Sequence, residues 1–466
     1  MPRLSIPSLA VGAAALLALG VAAGTALPQD DPSAGSTDPT EQTGPTGPTD
    51  PAEQAGPVGP RSVILIVGDG MDDSIITAAR NYSLGAAGRF ALDDLPFTGT
   101  MTTYGLELGP GPDHPIDYVS DSAATASAWS TGKKTVGNRV SQGPSSAADV
   151  PGEDHETVLE KFRDAGRLTG NVSTAEITDA TPAAAASHIN ARDCQGPSDM
   201  AACPTARTSV GGKGSIAEQL VDNQVDVLLG GGQARYAQPL EDASETVLDH
   251  ATKKWDYRHV TTAAGLAAIS DLADGPVLGL FAPSNMTPKY APLVATPPPG
   301  SGSPATRCQP ADPGTQPDLA TMTEKAIELL DNPDGFFLQA ESAMIDKQAH
   351  DMDICGAIGD VERLDDTVEV ALAYQRTHPD TLVIVTGDHA QATQIVRNVR
   401  HGRQTATLLT ADGDPLTVAY STDLGDADHT GTQIRVAAIG PGAADVTGTI
   451  DQTDLFEIML GGLPGT

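Results

Sequence analysis

Three apolar runs of strand length, each cut off by a short acidic turn, restrict what this chain can fold into more than any other feature. Ser62–Val67 (SVILIV) stops at Gly68-Asp69-Gly70, Gly335–Leu338 (GFFL) at Gln339-Ala340-Glu341, and Thr381–Val385 (TLVIV) at Thr386-Gly387-Asp388-His389. Apolar character that is continuous rather than alternating belongs to strands buried on both faces. Between them, Glu156–Ala165, Ile216–Asn223, Met322–Leu330 and Val361–Gln375 read as helices, and Val225–Leu229 and Val277–Phe281 as further strands. This alternation predicts an α/β fold with helices on both sides of the sheet. In such sheets ligands bind beyond the carboxyl ends of the strands, where the acidic turns sit. Gly230-Gly231-Gly232 lacks the Lys and Ser or Thr of a phosphate loop and reads as a tight turn.

The chain of 466 residues has room for one large α/β domain with insertions or for two to four smaller ones. It carries 61 acidic and 27 basic side chains, a net charge of −34. Residues 1–60 hold six of the acids and one base, so the acidity belongs to the folded part. A phosphate backbone needs basic surface, which excludes nucleic acid as a partner, and a solvated acidic face suits a salty medium. Arg3 followed by the apolar run Leu9–Ala23, with small residues at Ala22, Ala23, Gly24 and Ala26, reads as a signal peptide over residues 1–26. An uncleaved anchor is the alternative. No other segment is long and apolar enough to span a bilayer, so the protein is expected in the periplasm or outside the cell. Residues 27–60, with their TGPTGP repeat, lack large apolar side chains and read as a disordered linker. Folded sequence is expected over 61–466.

Cys194, Cys203, Cys308 and Cys355 allow three pairings in an oxidising compartment. The neighbour pairing is preferred because each bridge then closes a loop around the motifs below. Pro288–Pro317 is expected to be a surface insertion stapled by Cys308. With no C-x-x-C spacing, a zinc site of these four is disfavoured.

Chemistry-bearing residues gather at the same turns. Asp346 and His350 stand four apart, on one face of a helix at metal-ligand spacing. Asp388-His389 closes a strand, Asp428-His429 precedes the strand Arg435–Ile439, and Asp69 is flanked by glycines that allow close approach of a cation. Each pattern alone is common in ion pairs or turns; together at strand ends they suggest a shared cation site. Oxygen and nitrogen ligands without Cys suit zinc with a harder partner such as magnesium. Asp121-Ser122 opens an Ala-rich helix whose first N–H groups suit a phosphate, although this segment alone favours Ser122 as a simple cap. The absence of a G-x-S-x-G elbow leaves a metal to activate this serine.

The segments Ile66–Ser74 (IVGDGMDDS), Asp121–Gly132 (DSAATASAWSTG), Thr169–Pro182 (TGNVSTAEITDATP), Ile345–His350 (IDKQAH), Thr386–His389 (TGDH) and His429–Gly431 (HTG) resemble, in order, the bacterial alkaline phosphatases over about residues 61–466. The resemblance implies a three-layer α/β/α sandwich around a largely parallel sheet, assembled as a homodimer. It also implies hydrolysis of phosphate monoesters at alkaline pH through a phosphoserine at Ser122, with two zinc ions and one magnesium ion per subunit. By matching position, Asp346, His350 and His429 would hold one zinc, and Asp69, Asp388 and His389 the other. Asp69, Thr181 and Glu341 would hold magnesium, which Asp179 would reach through water. Arg192 would grip two phosphate oxygens, oriented by Asp121, while Lys347 would contact phosphate through water and pair with Asp179. The family's disulfides fall where the four cysteines stand, which supports the neighbour pairing. Two positions depart from the pattern: Gln391 stands where a second His is common, and Ala349 where a carboxylate is common. A phosphodiesterase of the same superfamily and a non-catalytic phosphate- or metal-binding protein are the competing readings.

Overall fold

The computed structural model describes residues 59–241, 243–297, 304–397, 403–420, 422, 427–461 and 463. The signal-peptide reading and nearly all of the linker reading lie outside them. Described residues fall in one compact unit, Ala55–Thr466. Its centre is a ten-stranded sheet. In chain order the strands are β1 (Ser62–Gly68), β2 (Phe97–Thr102), β3 (Leu168–Glu176), β4 (Val227–Gly231), β5 (Arg258–Val260), β6 (Val277–Leu280), β7 (Phe336–Ser342), β8 (Thr381–Gly387), β9 (Ile434–Ile439) and β10 (Gly448–Asp451). Their spatial order is β10-β2-β9-β8-β1-β7-β3-β4-β6-β5. Neighbours pair in parallel except β9, which runs against both β8 and β2.

The unbroken apolar strands are explained by what covers them. On β1, Ile64 and Ile66 join one core cluster with the helices Asp73–Leu84, Leu319–Leu330 and Ile354–Thr377. Val63, Leu65 and Val67 point the other way, into a cluster with the helices Ser122–Thr131, Val158–Asp164, Ala180–Ala186 and Ile216–Asp222. All five side chains are fully buried, so the period-2 alternation of a strand addresses two cores rather than core and water. These are the three layers expected.

Element bounds differ from expectation where a cap decides them. The expected Val361–Gln375 helix begins at Ile354, because the Asp353 carboxylate accepts the Cys355 N–H and starts it early. Strand β4 runs on through Gly230 and Gly231, and the turn falls at Gly232, whose φ is +93°. The Pro288–Pro317 segment is joined to the rest by isolated bridges, Val294 to Asp353, Thr296 to Thr405 and Thr306 to Leu408. The last two reach a small antiparallel sheet of Thr393–Val396, Gln404–Leu409 and Pro415–Tyr420. Both disulfides form between neighbours, Cys194–Cys203 and Cys308–Cys355. No helix among the described residues is long and apolar enough to cross a membrane.

Candidate active site

The register of the central strands builds the site. Gly68 of β1 stands level with Gly387 of β8 and Ser342 of β7, so the three acidic turns emerge side by side. The Gly70 N–H donates to Asp388 Oδ1 at 2.8 Å, tying two of the turns together. Gly70 has φ +67°, and a Cβ there would stand 2.8 Å from Gln391 and 3.0 Å from Asp346. Only glycine satisfies both the left-handed backbone and the crowding.

Two small-residue helices, Ser122–Thr131 and Ala180–Ala186, pack against each other, and every residue of both is buried. Asp121 caps the first by accepting the Ala124 N–H at 3.2 Å. Ser122 therefore begins a ten-residue helix with its hydroxyl at the strand ends. Its Oγ lies 3.1 Å from His389 Nε2 and 3.3 Å from Asp69 Oδ1. His389 Nε2 is also 3.2 Å from Asp388 and 3.5 Å from Asp69, and its Nδ1 is buried without a hydrogen bond.

A second cluster adjoins it, the His389 and His429 rings stacking 3.6 Å apart. Asp346 Oδ1 lies 3.5 Å from His350 Nε2 and 3.5 Å from His429 Nε2, and the two Nε2 atoms are 3.1 Å apart. Each Nδ1 faces a carbonyl, Ala427 O at 2.6 Å and Ser120 O at 3.0 Å. A carbonyl only accepts, so both Nδ1 atoms carry hydrogen, and both Nε2 atoms face the Asp346 carboxylate. Ligand atoms of Asp69, Asp388 and His389, and of Asp346, His389 and His429, lie within 4.8 Å of one another.

Beside these, Glu341 accepts from the Ser173 hydroxyl, and the Thr181 hydroxyl lies next to it, buried, without a well-aligned hydrogen bond. Arg192 forks between Asp179, at 2.8 Å, and Asp121, at 3.4 Å, and Lys347 donates to the other Asp179 oxygen. Asp179 thus holds both cations expected to meet phosphate.

The electrostatics call for cations. Burial, with Asp346 nearby, pushes Asp388 up to about 6, and burial with Asp179 nearby pushes Glu341 up to about 7. Burial and Asp388 likewise raise Asp69 well above the ordinary carboxylate range. Burial would raise Asp346 as well, but the surrounding imidazoles hold it low. Burial also opposes ionisation of Asp179, yet Lys347 and Arg192 keep it well below the usual range. Carboxyl groups that resist ionisation, beside an orphaned imidazole nitrogen and an unaligned hydroxyl, are the donor set a metal restores to full charge. The residues fit metal ions.

Residues 60–423 match the family model described as alkaline phosphatase. This chain belongs to the alkaline phosphatase family. It is 45% identical over 414 residues to the alkaline phosphatase of Escherichia coli (strain K12), covering 86% of each chain. It is also 45% identical to the streptomycin-6-phosphate phosphatase of Streptomyces griseus, over 85% of this chain and 89% of that one. A TAB5 alkaline phosphatase variant solved with magnesium bound superposes with a TM-score of 0.64 at 21% identity, covering 87% of this chain and 98% of that one, a likeness of fold. The protein is an alkaline phosphatase, a metal-dependent hydrolase of phosphate monoesters.

The residues expected to act on phosphate or hold metal, Ser122, Asp121, Arg192, Lys347, Asp69, Asp179, Thr181, Glu341, Asp346, His350, Asp388, His389 and His429, stand in or beside this cluster. Two neighbours, Thr125 and Gln339, had no sequence signal, and Gln391 stood out only against the family pattern. Gln391, buried, donates its amide to Asp346 and takes the place of the more common imidazole. Thr125 donates to Asp388 at 3.3 Å, and Gln339 donates to the Thr181 carbonyl at 3.0 Å. An isolated Gln or Thr has no spacing to betray it.

Proposed function

We propose that Ser122 is the nucleophile of this phosphomonoesterase and carries the phosphoryl group between two half-reactions. The observation that supports it is the Ser122 hydroxyl at a helix N-terminus, within 3.1 Å of His389 and 3.3 Å of Asp69. Asp346, His350 and His429 would hold one zinc, Asp69, Asp388 and His389 a second, and Asp69, Thr181 and Glu341 magnesium, with Asp179 reaching it through water. Bound there, the cations would lower the pKa of the serine hydroxyl and of water and neutralise charge on the departing oxygen.

This chain's own groups do the rest. Ser122 Oγ attacks phosphorus in line, the ester P–O bond breaks, and the alcohol leaves. Water then attacks the phosphoserine, the Oγ–P bond breaks, and inorganic phosphate departs. Arg192 supplies a planar fork for two phosphate oxygens. Phosphate draws that fork away from Asp179, while Asp121 keeps hold of its other arm and caps the Ser122 helix. N–H groups of the first helical turn meet the remaining charge. Lys347 stays on Asp179 and adds positive charge at the rim. The same reading takes the protein as a homodimer, exported to the periplasm or medium once residues 1–26 are removed, with residues 27–60 as a linker and 61–466 as the catalytic domain.

The test is protein stripped with EDTA and refilled with zinc and magnesium, assayed on p-nitrophenyl phosphate and bis-p-nitrophenyl phosphate. Fast monoester and slow diester cleavage is expected, with acid-stable label on the protein after quenching with labelled substrate. Ser122→Ala should lose at least about 10³-fold in kcat and all of the label. Label that persists in that variant would sink the assignment.

A further inference from the structure

Asp428 has no part in the roles assigned above. Yet one of its carboxylate oxygens lies within 4.8 Å of ring nitrogens of both His350 and His429, a group able to hold a cation. Asp346 meets the same two rings at 3.5 Å. The two carboxylates differ in surroundings: Asp346 is buried and also held by Gln391, whereas Asp428 is exposed. Asp428 is nonetheless placed. Its N–H donates to the Thr422 hydroxyl at 2.8 Å, and its Oδ1 accepts the His429 N–H at 2.8 Å. Among the described residues no hydrogen bond engages its Oδ2.

Asp346, His350 and His429 supply three ligands, the number at which a catalytic site keeps one position open for water or substrate. A fourth protein ligand closes such a site. We propose that Asp428 is an exchangeable fourth ligand to the cation held by Asp346, His350 and His429, bound when phosphate is absent and displaced when phosphate enters. This rests on the metal-ligand reading of the preceding subsection. An exposed carboxylate returns to water at little cost, which a buried one cannot do, so of the two acids only Asp428 suits exchange. Two consequences of opposite sign follow. Asp428 retains the metal in phosphate-free medium, and by competing for its open position it weakens phosphate binding and speeds product release.

The test uses the full chain loaded with cobalt(II), whose visible absorption reports coordination number, in phosphate-free buffer. Wild type, Asp428→Asn, Asp428→Glu and His429→Ala are compared. The Asn variant should show altered band intensity without phosphate and coincide with wild type at saturating inorganic phosphate. Zinc-loaded Asp428→Asn should lose its ion to a chelator about tenfold faster and bind inorganic phosphate several-fold more tightly, and the Glu variant should recover part of the retention. An unchanged phosphate-free spectrum overturns the proposal, even if phosphate binds more tightly, since removing a like charge alone would do that. If His429→Ala leaves the wild-type spectrum intact, the ligand reading itself fails and this proposal with it.

Discussion

Asp388 and Glu341 show most directly how single residues depend on their surroundings. Pushed up to about 6 and about 7, they resist ionisation when folded, while in the unfolded chain they ionise near their ordinary values of 3.8 and 4.5. A carboxyl raised on folding contributes stability in full below its unfolded pKa and loses it as pH rises through its folded pKa. The metal-stripped protein should therefore lose stability between about pH 4 and about pH 7, and refilling with zinc and magnesium should cancel that loss. Melting scans at pH 5 and pH 8 check this: the gap in Tm between refilled and stripped protein should be wider at pH 8. An equal gap would mean that these carboxyls ionise without a cation.

At the scale of elements, the loops behind the site are tied by an ion-pair network no motif announces. Arg235, just after the Gly232 turn, bonds Glu176 at the end of β3 at 2.6 Å and Asp199 in the Cys194–Cys203 loop at 3.0 Å. The first leads in three residues to Asp179, and the second closes the loop that follows Arg192. Asp179 and Arg192 meet at 2.8 Å, so Arg235 ties together from behind the two segments that carry the pair proposed to meet phosphate. Arg235→Ala leaves Glu176 buried and short of a partner, which should cost about 2 kcal/mol of stability. It should also lower kcat/KM about tenfold through misplacement. A KM and phosphate Ki that rise together, partly restored by Arg235→Lys, would mark positioning; a fall in Tm alone would not.

At the scale of the molecule, the two disulfides brace different lengths of chain. Cys194–Cys203 spans 9 residues and Cys308–Cys355 spans 47. Loop-closure entropy gives about 2.6 kcal/mol for the shorter and about 4 kcal/mol for the longer. The longer bridge also fastens the Pro288–Pro317 segment to the start of the Ile354–Thr377 helix, behind His350. Replacing Cys308 and Cys355 by Ala should lower the denaturation midpoint more than replacing Cys194 and Cys203; the reverse order would show that the shorter loop carries structure beyond its own closure.

Much of this was legible along the chain. The runs at Ser62, Gly335 and Thr381 specify buried parallel strands because their composition has no polar face, and ordered motifs from Asp69 to His429 specify the family because each must supply a particular atom. What the sequence by itself determined was therefore the fold class, carried by residue type along the strands, and the reaction, carried by the resemblance of the ordered motifs to one family. Register, capping and charge balance needed the tertiary structure. That Gly68, Ser342 and Gly387 stand level, that Asp179 intercepts Arg192 and Lys347, that Gln391 reaches Asp346 and that Arg235 reaches Glu176 arises between residues tens to hundreds of positions apart. Local chemistry is written in neighbouring letters, whereas a hydrogen bond or a shared field exists only once folding has brought the distant partner within reach.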